Sequence, residues 1–396
     1  MPNTPLILQV PTGVKDWLPG EARRKRELEN SLADLFQRWG YQEVVTPTFE
    51  YYETLTADGG GEAGRKLHKF IDPQGRILAL RPDMTTPIAR LVATRLRERP
   101  APLRLFYAAN VFRFEATQAG RQREFYQAGV ELLGAAGPWA DAEVIALAVE
   151  ALRTAGLSDF QVGIGQVEIT RYLLEQLELP EEAALEIKEA LSRKDLVGLE
   201  VILEESGVSS ADRQRVTTLC SLHGDRQALG QARQLVRDER LRTALDNLAE
   251  VWEALEAYGV TDRVFFDLGI LRDFDYYTGI VFEGYATGIG FPVCGGGRYD
   301  RLLSRFNYSC PATGFALGLE RVLLANRDGG QRVEEVAADY LVTGGDHALV
   351  CQKAAELRQE GWVVEVDVAR RSLAEARSYV AERGIANLLV VGENKG

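Results

Sequence analysis

The stretch that decides the fold runs Leu103-Arg104-Leu105-Phe106-Tyr107-Ala108-Ala109-Asn110-Val111-Phe112-Arg113-Phe114-Glu115. It crosses a polar, glycine-containing segment at 116–122 and returns through Arg123-Glu124-Phe125-Tyr126-Gln127-Ala128-Gly129-Val130-Glu131-Leu132-Leu133. Two runs of strand-forming residues joined by a loop of this kind predict a long antiparallel hairpin. Side chains alternate along a strand, so Arg113 and Glu115 share one face of the first strand, and Phe125, Gln127, Gly129 and Glu131 share one face of the second. Phe112, Phe114, Tyr126, Val130 and Leu132 fall on the other face. One side of the hairpin is therefore core. The other is a polar floor of carboxyl, amide and guanidinium groups suited to a zwitterionic small molecule, with a merely solvated sheet face as the plainer alternative.

Outward from the hairpin, Leu28, Leu32, Leu35, Phe36 and Trp39 recur at spacings of three and four before Gly40, predicting an amphipathic helix over 21–39. Val44, Val45 and Thr46 read as a short strand ended by Pro47, leading to a sheet edge or interface. Thr86-Pro87 is a helix start, because proline at the first helical position sacrifices no internal hydrogen bond. Ile88, Leu91 and Val92 form that helix's buried stripe. From about 168 to 250 the pattern is helical and polar, an insertion before strands return at Val264. After Gly329 and Gly330 the chain alternates strand, helix, strand, helix, strand over 340–391, a small βαβαβ unit. The expected organisation is a core over 1–328 and an α/β domain over 333–396.

Composition excludes several functional classes. Hydrophobic residues make up 46% and charged residues 26% of the 396-residue chain, and no apolar run is long enough to span a bilayer. The start of the chain shows no export signal, so a cytoplasmic location with no membrane partner is expected. Cys220, Cys294, Cys310 and Cys351 are widely separated, as are His68, His223 and His347, which fits a reducing compartment and predicts neither a disulfide framework nor a metal site. A net charge of −12 provides no broad attraction for nucleic acid.

Two more clusters stand out: Leu271-Arg272-Asp273-Phe274-Asp275-Tyr276-Tyr277-Thr278-Gly279, followed by a strand over 280–285 and by Gly295-Gly296-Gly297-Arg298-Tyr299-Asp300; and Gly314-Phe315-Ala316-Leu317-Gly318-Leu319-Glu320-Arg321, which reads as a strand entering a helix. The glycine run is either a turn or a place of close backbone approach. With Pro11-Thr12-Gly13-Val14-Lys15-Asp16-Trp17-Leu18-Pro19, these segments together resemble the class II histidyl-tRNA synthetase family over nearly the whole chain. Pro47 resembles the proline of the family's dimer-forming first motif, 112–127 the second motif and 314–321 the third. The Arg272 and Gly295 clusters resemble its two histidine-specific signatures.

The resemblance implies an α+β fold: a class II synthetase-like antiparallel sheet flanked by helices, with a small truncated α/β C-terminal domain. It implies that Asp83, Thr85, Arg113, Gln127, Glu131, Arg272, Tyr276 and Tyr277 hold histidine. Arg113, Glu115 and Arg321 would form a vestigial ATP site, since guanidinium forks match phosphate oxygens. In the family's catalytic members the residue at Arg272 stabilises charge during adenylation.

This sequence departs from the synthetase pattern at three places. Where synthetases have Glu-Gly-Thr after Arg-Pro, it has Asp83-Met84-Thr85; retracting a positioned charge by ~1 Å costs on the order of 100-fold in reaction rate, while binding through water can survive. Asp273 stands beside Arg272 where the family has glycine, so it either pairs with that arginine or faces solvent. The tail ends after its third strand, short of the further strands and last helix of an anticodon-binding domain, so tRNA is not expected as a partner.

A chain with the pocket, the Arg81-Pro82-Asp83-Met84-Thr85-Thr86-Pro87 sequence and a shortened tail resembles the family of ATP phosphoribosyltransferase regulatory subunits, paralogues of histidyl-tRNA synthetase. That resemblance implies a non-catalytic regulatory subunit, with catalytic residues and cofactors absent. It would be a homodimer within a hetero-oligomer containing the short-form catalytic ATP phosphoribosyltransferase subunit, with histidine as its effector. The alternatives are an active histidyl-tRNA synthetase with a shortened C-terminal domain, which retention of Arg113, Arg272 and Arg321 favours, and a stand-alone histidine sensor.

Overall fold

The 103–133 hairpin forms the middle of the fold in the computed structural model, which describes residues 8–56, 64, 66–114, 122–177, 179–236, 238–270, 277–326 and 337–392. Its strands are β5 (Leu103–Phe112) and β6 (Glu124–Leu133), paired antiparallel from Leu103↔Leu133 to Phe112↔Glu124. Seven more strands extend this sheet: β1 (Gln42–Glu43), β7 (Phe160–Gln166), β8 (His223–Gly224), β9 (Val264–Asp267), β10 (Ile280–Ala286), β11 (Cys294–Arg298) and β12 (Ala312–Gly318). The order is β1-β5-β6-β12-β11-β10-β7-β9-β8. The central run from β5 to β7 is antiparallel throughout, and only the flanking β1–β5 and β7–β9 pairs are parallel.

Alternation sends the two faces of this sheet into different environments. Phe106, Ala128, Val130, Leu132, Ile164, Phe282 and Phe315 pack beneath three helices, Pro19–Arg38, Pro138–Thr154 and Glu239–Tyr258. The first helix contributes Leu32, Leu35 and Phe36, all fully buried, each adding about 1.5–3 kcal/mol of apolar burial. On the opposite face, Leu105, Tyr107, Val111 and Leu133 pack against Met84, Ile88 and Val92 from the Thr85–Arg95 helix and its N-cap. The face expected to be a polar floor is thus covered in part by that helix. Phe114 departs from its expected core position: the ladder ends at Phe112, and Phe114 is exposed beside His68 with the Arg123 guanidinium over its ring.

The expected strand at 44–46 does not form. The ladder with β5 covers Gln42 and Glu43 and ends with the Val44 amide donating to the Phe106 carbonyl at 2.9 Å; beyond it the carbonyls of Thr46 and Pro47 accept from Arg81 instead of a neighbouring strand. The chain then enters a second antiparallel sheet, β2 (Phe49–Tyr51), β3 (Lys69–Ile71) and β4 (Ile77–Leu80), in the order β2-β4-β3. The glycine run at 295–297 is neither turn nor loop but the interior of β11. A Cβ at Gly296 would lie 2.6 Å from the Phe315 Cβ and 2.8 Å from the Phe282 ring, so glycine there lets two core aromatics lean over the strand.

The helical insertion runs from Val167 to Tyr258, past the expected end near 250, and is terminated by Gly259 in a left-handed conformation at φ +69°. It has its own small core of Ile187, Leu191, Leu199, Leu203 and Val216.

Residues 1–16 and 24–330 make one compact unit, while 17–23 and 331–396 make a second. The second unit has three parallel strands, β13 (Tyr340–Gly344), β14 (Val364–Val366) and β15 (Asn387–Val391), in the order β14-β13-β15. Its helices are His347–Gln359, capped by Asp346, and Leu373–Arg383, opened by a Ser372/Glu375 capping box.

Candidate functional site

Glu131 projects from β6 into the covered chamber and is 2% exposed. A carboxyl this deep requires partners, and both of its oxygens have one. Thr85 Oγ1 donates to Oε1 at 2.8 Å, and the Tyr299 hydroxyl donates to Oε2. Gly314 on β12 lies directly across from Glu131 in the sheet register, where a Cβ would collide with the carboxylate. Burial pushes the Glu131 carboxyl up to about 8; the Tyr299 and Thr85 hydroxyls pull it down, and the Asp83 carboxylate adds to the rise.

The loop opposite is built by the start of the Thr85–Arg95 helix. Asp83 Oδ1 accepts the Thr86 amide at 3.2 Å, satisfying one of the amides that a helix start leaves unpaired. The Asp83 carboxyl is raised by burial, against the pull of the Arg113 guanidinium and of the Thr86 and Thr85 amides. Arg113, just past the end of β5, donates from Nε to the Pro82 carbonyl at 2.9 Å and lies over the Phe125 ring. Gln127 shares the Glu131 face of β6, and its side-chain oxygen is buried with no hydrogen-bond partner among the described residues. Tyr277 is buried in the same apolar layer as Met84 and Tyr107, its ring 2.8 Å from where a Cβ on Gly297 would be.

Asp83, Thr85, Arg113 and Glu131 are thus linked by a hydrogen bond or by charge, with Gln127 on the Glu131 face of β6 and Tyr277 in the apolar layer of Met84 and Tyr107, and these six are taken together as the walls of the candidate chamber. Arg321, expected in the ATP site with Arg113 and Glu115, donates from Nη1 to the Pro292 carbonyl at 2.8 Å with its guanidinium over the Phe291 ring. Its neighbour Glu320 accepts the Tyr126 amide with both carboxylate oxygens at 3.0 Å, tying the start of the Leu319–Ala325 helix to β6. Glu115, Arg272 and Tyr276 lie outside the described residues.

Two tyrosines were missed as site residues. Tyr299, part of the glycine-run cluster, supplies a hydroxyl to Glu131. Tyr107 faces Gly129 across the hairpin, where a Cβ on Gly129 would be 2.6 Å from its hydroxyl. Burial raises Tyr107 well above the ordinary phenol range, and the nearby carboxylates of Glu131 and Asp83 add to that rise. An aromatic residue opposite a glycine on paired strands was the available signal for it. Tyr299 gave none, because its contact with Glu131 spans 168 residues.

The chamber offers acceptors at Glu131, Asp83 and Gln127 and one guanidinium at Arg113, which suits a small ligand bearing several N–H groups and one carboxylate. No cluster of His, Cys, Asp or Glu among the described residues is arranged to hold a metal ion.

Residues 13–322 match the family model for histidyl-tRNA synthetase. The chain is 56% identical over 389 residues to a Moorella thermoacetica protein named ATP phosphoribosyltransferase regulatory subunit, covering 98% of this chain and 99% of that one. It is 48% identical over 379 residues to a Desulforamulus reducens protein of the same name, covering 94% of each. A Bacillus halodurans crystal structure described as an ATP phosphoribosyltransferase regulatory subunit/histidyl-tRNA synthetase aligns with a TM-score of 0.87 at 36% identity, covering 99% of this chain and 100% of that one.

Proposed function

Because the chain belongs to the family of ATP phosphoribosyltransferase regulatory subunits built on the histidyl-tRNA synthetase fold, we propose that it acts without catalysis of its own on a short-form catalytic subunit and passes on inhibition by histidine. The observation that carries the histidine assignment is the Glu131 carboxyl, held by Thr85 and Tyr299 on a wall that also presents the unpartnered Gln127 oxygen. Histidine matches that wall: its ammonium and imidazole N–H groups supply donors for Glu131, Asp83 and Gln127, and its carboxylate fits Arg113. Histidine inhibition then requires different histidine affinities in the active and inactive assemblies.

The setting of this function is cytoplasmic, within a hetero-oligomer. No helix among the described residues is long and apolar enough to cross a membrane. A homodimer is supported by exposed apolar residues on both faces of the second sheet, Phe49 with Phe70 on one and Ile71 with Ile77 on the other, and by the exposed Val45 before it.

The test mixes the purified chain with a short catalytic subunit and follows ATP- and phosphoribosyl pyrophosphate-dependent product formation with and without histidine. A gain of activity that histidine reverses is the expected result; no gain overturns the regulatory assignment. Histidine-dependent exchange of pyrophosphate into ATP by the chain alone would instead mark it as a working synthetase, the reading favoured by retention of Arg113, Arg272 and Arg321 in the sequence.

A further inference from the structure

Arg81 is 4% exposed, and its guanidinium makes no hydrogen bond to a carboxylate among the described residues. Its four acceptors are the carbonyls of Thr46 at 2.8 Å, Pro47 at 3.2 Å and Asn110 at 2.9 Å, and the Asn110 side-chain oxygen at 3.0 Å. Its backbone repeats the pattern, with the amide donating to the Thr48 carbonyl at 3.0 Å and the carbonyl accepting the Phe112 amide at 2.9 Å. One residue thus fastens two segments that are not paired with each other, the 46–48 strap and the end of β5.

What lies on either side of Arg81 gives the clamp its consequence. The strap leads from Val45, 85% exposed, to the exposed Phe49. The next residue after Arg81 begins the ligand loop, where the Pro82 carbonyl accepts from Arg113, Asp83 accepts the Thr86 amide and Thr85 holds Glu131. Continuous direct bonds therefore run from the exposed strap to the buried carboxyl. A second tie, Arg90 to Glu50 at 2.7 Å, fixes β2 to the helix that starts at Thr85.

We propose that Arg81 is a positioning residue that transmits order between the exposed 44–51 strap and the 82–86 ligand loop, so that filling the chamber stiffens the apolar surface outside it. A buried guanidinium spanning four fixed carbonyl oxygens holds its acceptors in one geometry; displacing the loop moves the fork, and with it the strap. The inference rests on the histidine reading of the chamber and adds to it a route by which the ligand reaches a surface.

Hydrogen exchange of the full chain, with and without saturating histidine, tests the proposal alongside calorimetry of histidine binding. Histidine is expected to slow exchange of the 44–51 amides on the order of fivefold, the low end of ordinary coupling between sites. In Arg81→Met, histidine still binds and the protection is confined to 82–86; Arg81→Lys, which keeps the charge but spans fewer carbonyls, restores part of the strap's protection and carries the same test if the methionine variant does not fold. A purely structural arginine would lower stability yet leave protection of the strap by histidine intact, and that result overturns the proposal, as does an unprotected strap in the unmodified chain that binds histidine. Absence of histidine binding by the unmodified chain overturns the ligand assignment itself.

Discussion

Thr85 and Glu131 are 46 residues apart in sequence and joined by a hydrogen bond of 2.8 Å, so the first turn of a helix and the middle of a sheet strand form one wall of a single chamber. The carboxyl they share with Tyr299 is the most constrained polar group of the site. The consequences for binding follow from that constraint.

Replacing Glu131 with Gln keeps the shape and removes the charge that would meet a cationic ligand. A hydrogen bond to a charged group contributes about 1.5–3 kcal/mol, so histidine affinity is expected to fall about 10- to 100-fold. Stimulation of the catalytic subunit is expected to persist while its inhibition by histidine weakens in parallel. Calorimetry and the mixed-subunit assay check this, and unchanged histidine sensitivity would remove Glu131 from the site.

The empty protein is expected to lose stability as pH rises from about 4.5 to about 8 through this one group. Glu131 is pushed up to about 8 in the folded chain from an ordinary value of 4.5. Below both values the folded and unfolded chains are alike protonated; between them the unfolded chain has released a proton that the folded chain keeps, and rising pH favours unfolding. Thermal melts across this range should show a shallower slope for Glu131→Gln than for the unmodified chain. Histidine binding near pH 7 should release a proton, seen as apparent enthalpies that differ between phosphate and Tris buffers; equal enthalpies would contradict the linkage.

Two glycine substitutions have opposite expected effects. Gly314→Ala places a methyl group against the Glu131 carboxylate and the Val130 carbonyl and is expected to abolish histidine binding and to lower stability. Gly230→Ala, in the exposed interior of the Arg226–Leu235 helix with nothing near its added Cβ, is expected to stabilise by about 0.5–1 kcal/mol with binding unchanged. A melt and a binding isotherm for each variant decide the matter, and normal binding by Gly314→Ala would mean that the carboxylate can move aside.

Arg298, next to the glycine run, has a structural role. It pairs with buried Asp141 at 2.9 Å and with Asp300 at 3.0 Å. Arg298→Met leaves Asp141 buried without its charge partner and is expected to cost about 3–5 kcal/mol, of which the double variant Arg298→Met/Asp141→Leu recovers a large part. Denaturant titration of the single and double variants measures this, and a single variant of normal stability would refute it.

Local pattern made the framework readable in the amino-acid sequence. Alternation over 103–133 specified the hairpin and which of its residues share a face; the Thr86-Pro87 step marked the helix that carries Thr85; and period-3.6 stripes separated the insertion from the sheet. These signals survive because each depends on backbone geometry within a few residues. The resemblance to histidyl-tRNA synthetases supplied the expected roles of Gln127 and Glu131, which alternation alone could only place on a face, and of Asp83 and Thr85, which alternation did not place.

What tertiary structure decided was everything that depends on a partner distant in the chain. The strand expected at 44–46 stops after the Val44 amide, where Arg81, remote in sequence, takes the carbonyls of Thr46 and Pro47. The glycine run became a central strand because Phe282 and Phe315 need the space above it. Tyr299 became a site residue because β12 and β6 carry Gly314 opposite Glu131 and leave room for a hydroxyl to reach the carboxylate. A sequence specifies donors, acceptors and the faces on which they project; which of them meet is set by the packing of segments whose contacts have no local period.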